Sequence, residues 1–316
     1  MGSMTKVMEK IREEQDAAAA AAGGTVAEAP PTEVVPDGAV AAAETTAVEA
    51  GGVVPAPDGT APPSAFVAGE NAGAAPAALD GTTVRWDPQR VDPAVIAFHD
   101  RYSAVCEQYR GVRARLLTMN AARAAQVIAI TSAIPEEGKS VSTINLSLVM
   151  AEGGEHRILL ADADFRRTSI VRMLGVAEQP GLAEVLSGQV PLEAALQPTP
   201  LPNLKLLPAG RVRDNAFGEL LGGPALAGVL EQFRRLFDYA FLDTPPVTTV
   251  SDVCLLAPRC DGAIVVVEMR RTAEPTVQQA VRTLQANSVK IIGAILSRFR
   301  ERSAAYYEHY YSYYYR

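Results

Sequence analysis

The sequence is short of the residues on which several protein classes depend. It has three cysteines, Cys106, Cys254 and Cys260, with no metal-ligand spacing, and three isolated histidines, His99, His156 and His309. A disulfide framework is excluded, which points to a reducing compartment, and so is a metal centre built from His and Cys. No apolar run reaches the ~20 residues that cross a bilayer. The opening stretch MTKVMEKIREEQDAAAAAA is interrupted by acids and continues in alanine, a weak hydrophobe, so it does not read as a signal peptide. Positive charge is scarce: the net charge is −7, which argues against nucleic acid as a partner. Between Arg12 and Arg85 there is no Lys or Arg at all. That stretch recurs in Pro and Gly and offers no large side chains for a core, so residues 1–88 read as a disordered Ala/Pro/Gly-rich arm. At its tip Met4, Val7, Met8 and Ile11 share one helical stripe that could dock a partner or simply fray in solvent.

From about Val91 the composition turns globular, and residues 89–300 read as one domain. A helical stretch covers 92–120. Short Val/Ile/Leu runs then alternate with amphipathic segments: strands at 125–131, 157–164, 203–210, 238–246, 262–269 and 290–299, helices at 140–154, 225–237 and 274–287. Apolar runs alternating with helices predict an α/β fold, a mostly parallel sheet covered by helices on both faces, of the P-loop NTPase-like (Rossmann-like) kind.

The first strand runs into TSAIPEEGKS and then a helix. Gly138, Lys139 and Ser140 match the end of G-x-x-x-x-G-K-[ST], with Ala133 in place of the opening glycine. The physics survives the change, because amides at a helix N-terminus attract anionic oxygens. Pro135, Glu136, Glu137, Gly138, Lys139, Ser140 and Val141 are therefore the expected nucleotide-binding residues, with ATP as cofactor. Two further apolar strands end in carboxylates, Asp162 and Asp164 in ILLADADFRR and Asp243 in YAFLDTPP. Side chains two apart on a strand face one way, so Asp162 and Asp164 are expected to look into one crevice at the ligand-binding edge of the sheet. Ser140, the aspartates and a triphosphate supply the oxygen ligands that Mg²⁺ prefers.

With these motifs in place, the chain resembles the bacterial tyrosine kinases (BY-kinases), the cytoplasmic partners of capsular and exopolysaccharide co-polymerases. The resemblance covers about residues 95–316 and rests on TSAIPEEGKS, ILLADADFRR and FDYAFLDTPPV, with GLAEVLSGQ, LLPAG and a C-terminal YYEHYYSYYYR. It implies that Lys139 and Gly138 hold phosphates, that Ser140, Asp243 and Asp164 serve the Mg²⁺, and that Asp162 accepts the proton of an attacking phenol. Arg166 would neutralise charge on the transferring group or bind a docked acid, unless it is a plain surface arginine. Glu107, Arg110 and Arg113 fit the E-x-x-R-x-x-R pattern of a homo-oligomeric ring interface; they also suit local ion pairs on a solvated helix face. Departures from the family pattern are Ala133 and Glu136 where glycine is common, Ser297 where asparagine is common, and prolines missing after Gly210.

Seven of ten tyrosines lie in the tail 301–316, namely Tyr306, Tyr307, Tyr310, Tyr311, Tyr313, Tyr314 and Tyr315. The resemblance makes them phosphoacceptors. Roughly ten residues of tether span up to ~33–36 Å, enough to enter a neighbour's site in trans. It also implies a separate membrane activator, a cognate tyrosine phosphatase and a cytoplasmic location peripheral to the inner membrane. A positioning ATPase of the MinD/ParA type is one alternative, though such proteins carry an extra lysine early in the P-loop that SAIPEE lacks. A catalytically weak nucleotide-binding adaptor is the other.

Overall fold

The computed structural model describes residues 83–212 and 217–298. The arm reading up to residue 82, the Met4–Ile11 stripe and the tyrosine tail lie outside the described residues. In chain order the elements are α1 (Ile96–His99), α2 (Ala104–Met119), β1 (Gln126–Ser132), α3 (Lys139–Ala151), β2 (Ile158–Asp162), α4 (Ser169–Leu174), α5 (Leu182–Leu186), α6 (Leu192–Ala195), β3 (Gln197–Pro198), β4 (Leu204–Leu207), α7 (Phe217–Gly222), α8 (Ala225–Leu236), β5 (Tyr239–Asp243), α9 (Asp252–Leu256), β6 (Gly262–Glu268), α10 (Glu274–Ala286) and β7 (Ile291–Ser297).

One seven-stranded sheet has the order β3-β4-β2-β5-β1-β6-β7. Every pairing is parallel except the short β3–β4 ladder. The inner strands are apolar along their whole length because both faces are covered. On one face Val127, Leu159, Ala240 and Leu242 pack with Leu226, Leu230 and Phe233 of α8. On the other, Ile128, Ile130, Leu160 and Phe241 pack with Ile144, Leu148 and Met150 of α3. Each fully buried Ile, Leu or Phe contributes roughly 1.5–3 kcal/mol, so these two layers hold the sheet. The chain leaves β1 for β2 on one side and crosses to β6 on the other, which makes the C-terminal end of β1 the topological switch point.

Three details depart from the sequence reading. The helix at 92–120 is broken into α1 and α2, because Ser103 caps a new helix by accepting the Cys106 amide at 3.3 Å and the Asp100 carboxylate accepts the Tyr102 amide at 3.2 Å. The fold is entered before residue 89: the Val84 amide donates to the Thr199 carbonyl, and Trp86 is buried against Phe98. Finally, β2 stops at Asp162, so Asp164 lies beyond the strand rather than two places along it. By contrast, Gly153 and Gly154, read as the end of α3, both adopt positive φ, 85° and 74°, turning the chain there into the next strand.

Candidate active site

The site forms where β1, β2 and β5 end together. Asp243 is in register with Ile130 of β1 and with Asp162 of β2, so the two acids stand side by side at the level where the phosphate loop begins. Six residues, Ala133 to Gly138, cross from β1 to α3. Gly138 takes φ 86° at the helix start and gives it no side-chain cap, so the first amides of this 13-residue helix are left to an anion. Its left-handed conformation calls for glycine. The loop's floor is fixed by Thr244, whose amide and hydroxyl both reach the Ile130 carbonyl at 3.0 Å, and by Thr248, whose hydroxyl donates to the Ala133 carbonyl at 2.6 Å.

Lys139 brings the acids together. Its Nζ lies 2.9 Å from Asp164 Oδ2, 3.3 Å from both oxygens of Asp243 and 3.3 Å from Ser140 Oγ. Ser140 Oγ donates to Asp243 Oδ2 at 2.5 Å. Asp162 and Asp243 are wholly buried and Asp164 nearly so. Burial pulls the Lys139 amine down, but attraction to Asp243 and Asp164 outweighs it and leaves the group raised, so it is an ammonium. Burial raises Asp243, and Lys139 and Ser140 only partly offset this. Burial and then Asp243 push Asp162 well above the ordinary carboxylate range. The Asp162 carboxylate accepts the amides of Asp164 at 3.0 Å and Ile170 at 3.3 Å, holding the turn that presents Asp164.

The other residues expected at the site have different settings. Glu137 turns its carboxylate away from the phosphate side and is fully buried. It accepts the Ile134 amide at 2.7 Å, the Glu268 amide at 3.1 Å and the Thr272 hydroxyl. Its carbonyl accepts Ser297 Oγ at 2.6 Å. Glu137 thus staples the phosphate loop to the ends of β6 and β7. Glu136 is left-handed, φ 68°, keeping the backbone shape that glycine gives more cheaply. Its exposed carboxylate faces Arg271 at 3.5 Å and Arg167 at 3.8 Å. Pro135 precedes it in the loop, and Val141 lies in the first turn of α3. Arg166 is exposed at the surface, where it pairs with Asp252 at 2.8 Å and lies over the Phe217 ring at 4.5 Å.

Glu107, Arg110 and Arg113 sit on α2 and bond within the chain. Arg110 pairs with Glu107 and, at 2.8 Å through two nitrogens, with Glu152, while Arg113 donates to the Val149 carbonyl at 3.3 Å. They tie α2 to the C-terminal end of α3. Two segments of the resemblance also meet: Leu182 and Ala183 of GLAEVLSGQ donate to the carbonyls of Pro208 and Ala209 in LLPAG. A Cβ on Gly181 would lie 2.4 Å from Pro208 O and Gly210 N, so only glycine permits that contact.

The oxygen donors Ser140, Asp164 and Asp243 suit Mg²⁺, a hard cation that keeps several waters and binds through few protein ligands. Among the described residues no cluster of three His, Cys, Asp or Glu could hold a metal by itself. A metal there would need substrate oxygens to complete its shell.

Residues 123–305 match the ParA family model, described as NUBPL iron-transfer P-loop NTPase. The tyrosine-protein kinase YwqD of Bacillus subtilis is 30% identical over 208 residues, 66% of this chain and 87% of that one. The succinoglycan biosynthesis transport protein ExoP of Rhizobium meliloti is 34% identical over 198 residues; these are 62% of this chain but only 25% of ExoP, so the chain spans about a quarter of that relative. Among solved structures the BceF tyrosine kinase domain superposes with a TM-score of 0.57 at 32% identity, covering 64% of this chain and 81% of that one. The chain therefore belongs to the ParA-type P-loop NTPases and, within them, to the bacterial tyrosine-kinase family.

Proposed function

We propose that this chain is an ATP-dependent, Mg²⁺-requiring tyrosine autokinase that acts on its own C-terminal tyrosines and controls capsular or exopolysaccharide synthesis and export. One observation carries the reading: Lys139, Ser140, Asp164 and Asp243, from three separate segments, meet within hydrogen-bond distance at the switch point of the sheet. In it, the amides at the start of α3 and the Lys139 ammonium bind the phosphates. Ser140, Asp164 and Asp243 would hold the Mg²⁺, which would supply neutralisation of charge on the transferring group. Asp162, whose proton affinity burial raises, takes the phenolic proton; the turn it holds at Asp164 and Ile170 must part for a phenol to reach it. Arg166 serves by fixing α9 to this turn through Asp252.

Tyr306, Tyr307, Tyr310, Tyr311, Tyr313, Tyr314 and Tyr315 are the acceptors, presented in trans within a ring whose contacts include the α2 face bearing Glu107, Arg110 and Arg113. Full modification adds about −10 to −14 charges, so the tails repel and the ring dissolves. Partners are a membrane polysaccharide co-polymerase as activator and a tyrosine phosphatase, in keeping with ExoP being a succinoglycan biosynthesis transport protein. No helix among the described residues is long and apolar enough to cross a membrane, and a cytoplasmic location at the inner membrane follows from the partner.

A second reading, transfer in cis, has its own support: Ser297, at the root of the tail, is bonded to Glu137 of the same chain's phosphate loop. Mixing a full-length Lys139→Met chain with an active chain lacking residues 303–316 separates them. Phosphotyrosine on the Lys139→Met chain is the result expected. Phosphotyrosine in the intact wild type but none in the mixture assigns transfer to cis. No phosphotyrosine in either, with nucleotide still bound, would leave a switch ATPase or an adaptor.

A further inference from the structure

The same atoms that suit a divalent cation are already served by a cation of the chain itself. The Lys139 ammonium lies 2.9 Å from Asp164 and 3.3 Å from each oxygen of Asp243, and it shares Asp243 with the Ser140 hydroxyl. It is only 7% exposed, so this is a buried counter-ion rather than a surface pair. Removing one partner from such a buried set leaves uncompensated charge, which is far costlier than removing the set as a whole. Phosphate is the natural competitor for an ammonium with three donors.

We infer that Lys139 guards the metal position: its ammonium is the resident counter-ion of Asp164 and Asp243, and a divalent cation gains these carboxylates only as nucleotide phosphates draw the ammonium away. Nucleotide and metal then enter as one unit, and free Mg²⁺ has no hold on the site. The lysine has two partners in turn, carboxylates first and phosphate second. This rests on the kinase reading for the identity of the pocket, but it concerns an equilibrium that exists before any transfer.

The test uses the full chain without nucleotide and Mn²⁺ as a paramagnetic probe, read by loss of the free-ion resonance and by the unfolding midpoint. Wild type is expected to bind Mn²⁺ weakly and to show no change in midpoint. Lys139→Met loses the guard, so it should bind Mn²⁺ at least about tenfold more tightly and gain stability with added Mn²⁺. In Lys139→Met/Asp243→Asn the gain should vanish. If Lys139→Met folds poorly alone, recovery of its folded state by Mn²⁺ and not by equal ionic strength of NaCl reports the same event. Equal Mn²⁺ binding by wild type and Lys139→Met, or a gain that survives Asp243→Asn, overturns the inference. Neither result touches the kinase reading, which phosphotyrosine formation in the wild type decides separately.

Discussion

Glu136 carries two costs in one residue, and they can be separated. Its φ of 68° places an L side chain in the left-handed region, at a cost of roughly 1–2 kcal/mol relative to glycine. Glu136→Gly relieves this but gives the unfolded chain more freedom, worth ~0.4–1 kcal/mol. It also loses two exposed pairs, to Arg271 and Arg167, each worth about 0–0.5 kcal/mol. The sum is a change in stability between about −1 and +1.6 kcal/mol, centred close to zero. Affinity for nucleotide should move further. A carboxylate about 8 Å from one phosphate charge costs ~0.5 kcal/mol at the dielectric of water, and two or three such charges bring this to ~1–1.5 kcal/mol, or roughly tenfold in Kd. Arg271 and Arg167, released from Glu136, act in the same direction. Glu136→Gln keeps the strained backbone and removes only the charge, so it isolates the electrostatic part. Titration of a fluorescent ATP analogue into wild type, Glu136→Gln and Glu136→Gly at low salt should give about five- to tenfold tighter binding for both variants. At 0.5 M salt, where screening is strong, the difference should shrink. Unchanged Kd for both variants at low salt would mean that Glu136 does not feel the phosphates.

Two further outcomes concern the frame. Gly210→Ala puts a Cβ 2.0 Å from Glu184 Oε2 at a φ of 75°, and Glu184 is the residue that accepts the amides of Gly181 and Arg211; thermal unfolding should show a loss of about 2–4 kcal/mol. Gly188→Ala, with φ 71° and nothing within 4 Å, should lose only ~1 kcal/mol, and equal losses at both would deny the clash. Asp238 receives the Arg157 guanidinium and amide at the opposite end of the sheet; burial alone would raise its carboxyl, but these bonds hold it below the usual range. A depressed carboxylate stabilises above its unfolded pKa and loses that contribution as pH falls through the folded one. Asp238→Asn should therefore cost about 0.5–1 kcal/mol at pH 7, discounted for partial exposure, and progressively less as pH falls below the ordinary carboxylate range, with nucleotide binding unaltered. A cost that does not shrink as the pH is lowered would exclude charge as its source.

The parts of this protein that follow from local periodicity were legible in the sequence. Val127–Ile130, Leu159–Ala161 and Val265–Val267 read as buried parallel strands, and they are buried on both faces. The phosphate loop and the three aspartates could be placed because each follows an apolar strand, and strand ends in such sheets converge on one edge. The two-residue β3 left no trace, since Gln197 and Pro198 are too few to show a period. The break at Asp100–Ser103 was hidden because it is made by side-chain caps, Asp100 to the Tyr102 amide and Ser103 to the Cys106 amide, which restart the helix without any glycine or proline to mark it. Side-chain direction was the least readable feature. Glu137 could not be told from a phosphate-facing residue, nor Arg166 from a free one, because their partners Glu268, Thr272 and Asp252 are more than 80 residues away.

Whether Lys139, Asp164 and Asp243 form a phosphotransfer centre is settled by one assay on the purified chain. Wild type and Lys139→Met are incubated with ATP and Mg²⁺, then digested, and the tail peptides are weighed by mass spectrometry. Added 80-dalton increments, roughly the mass of one phosphoryl group, on tyrosines of the 303–316 segment in wild type and their absence in Lys139→Met alone are the predicted outcome. An unmodified tail in wild type that has bound ATP, or a tail modified equally in both, would contradict it.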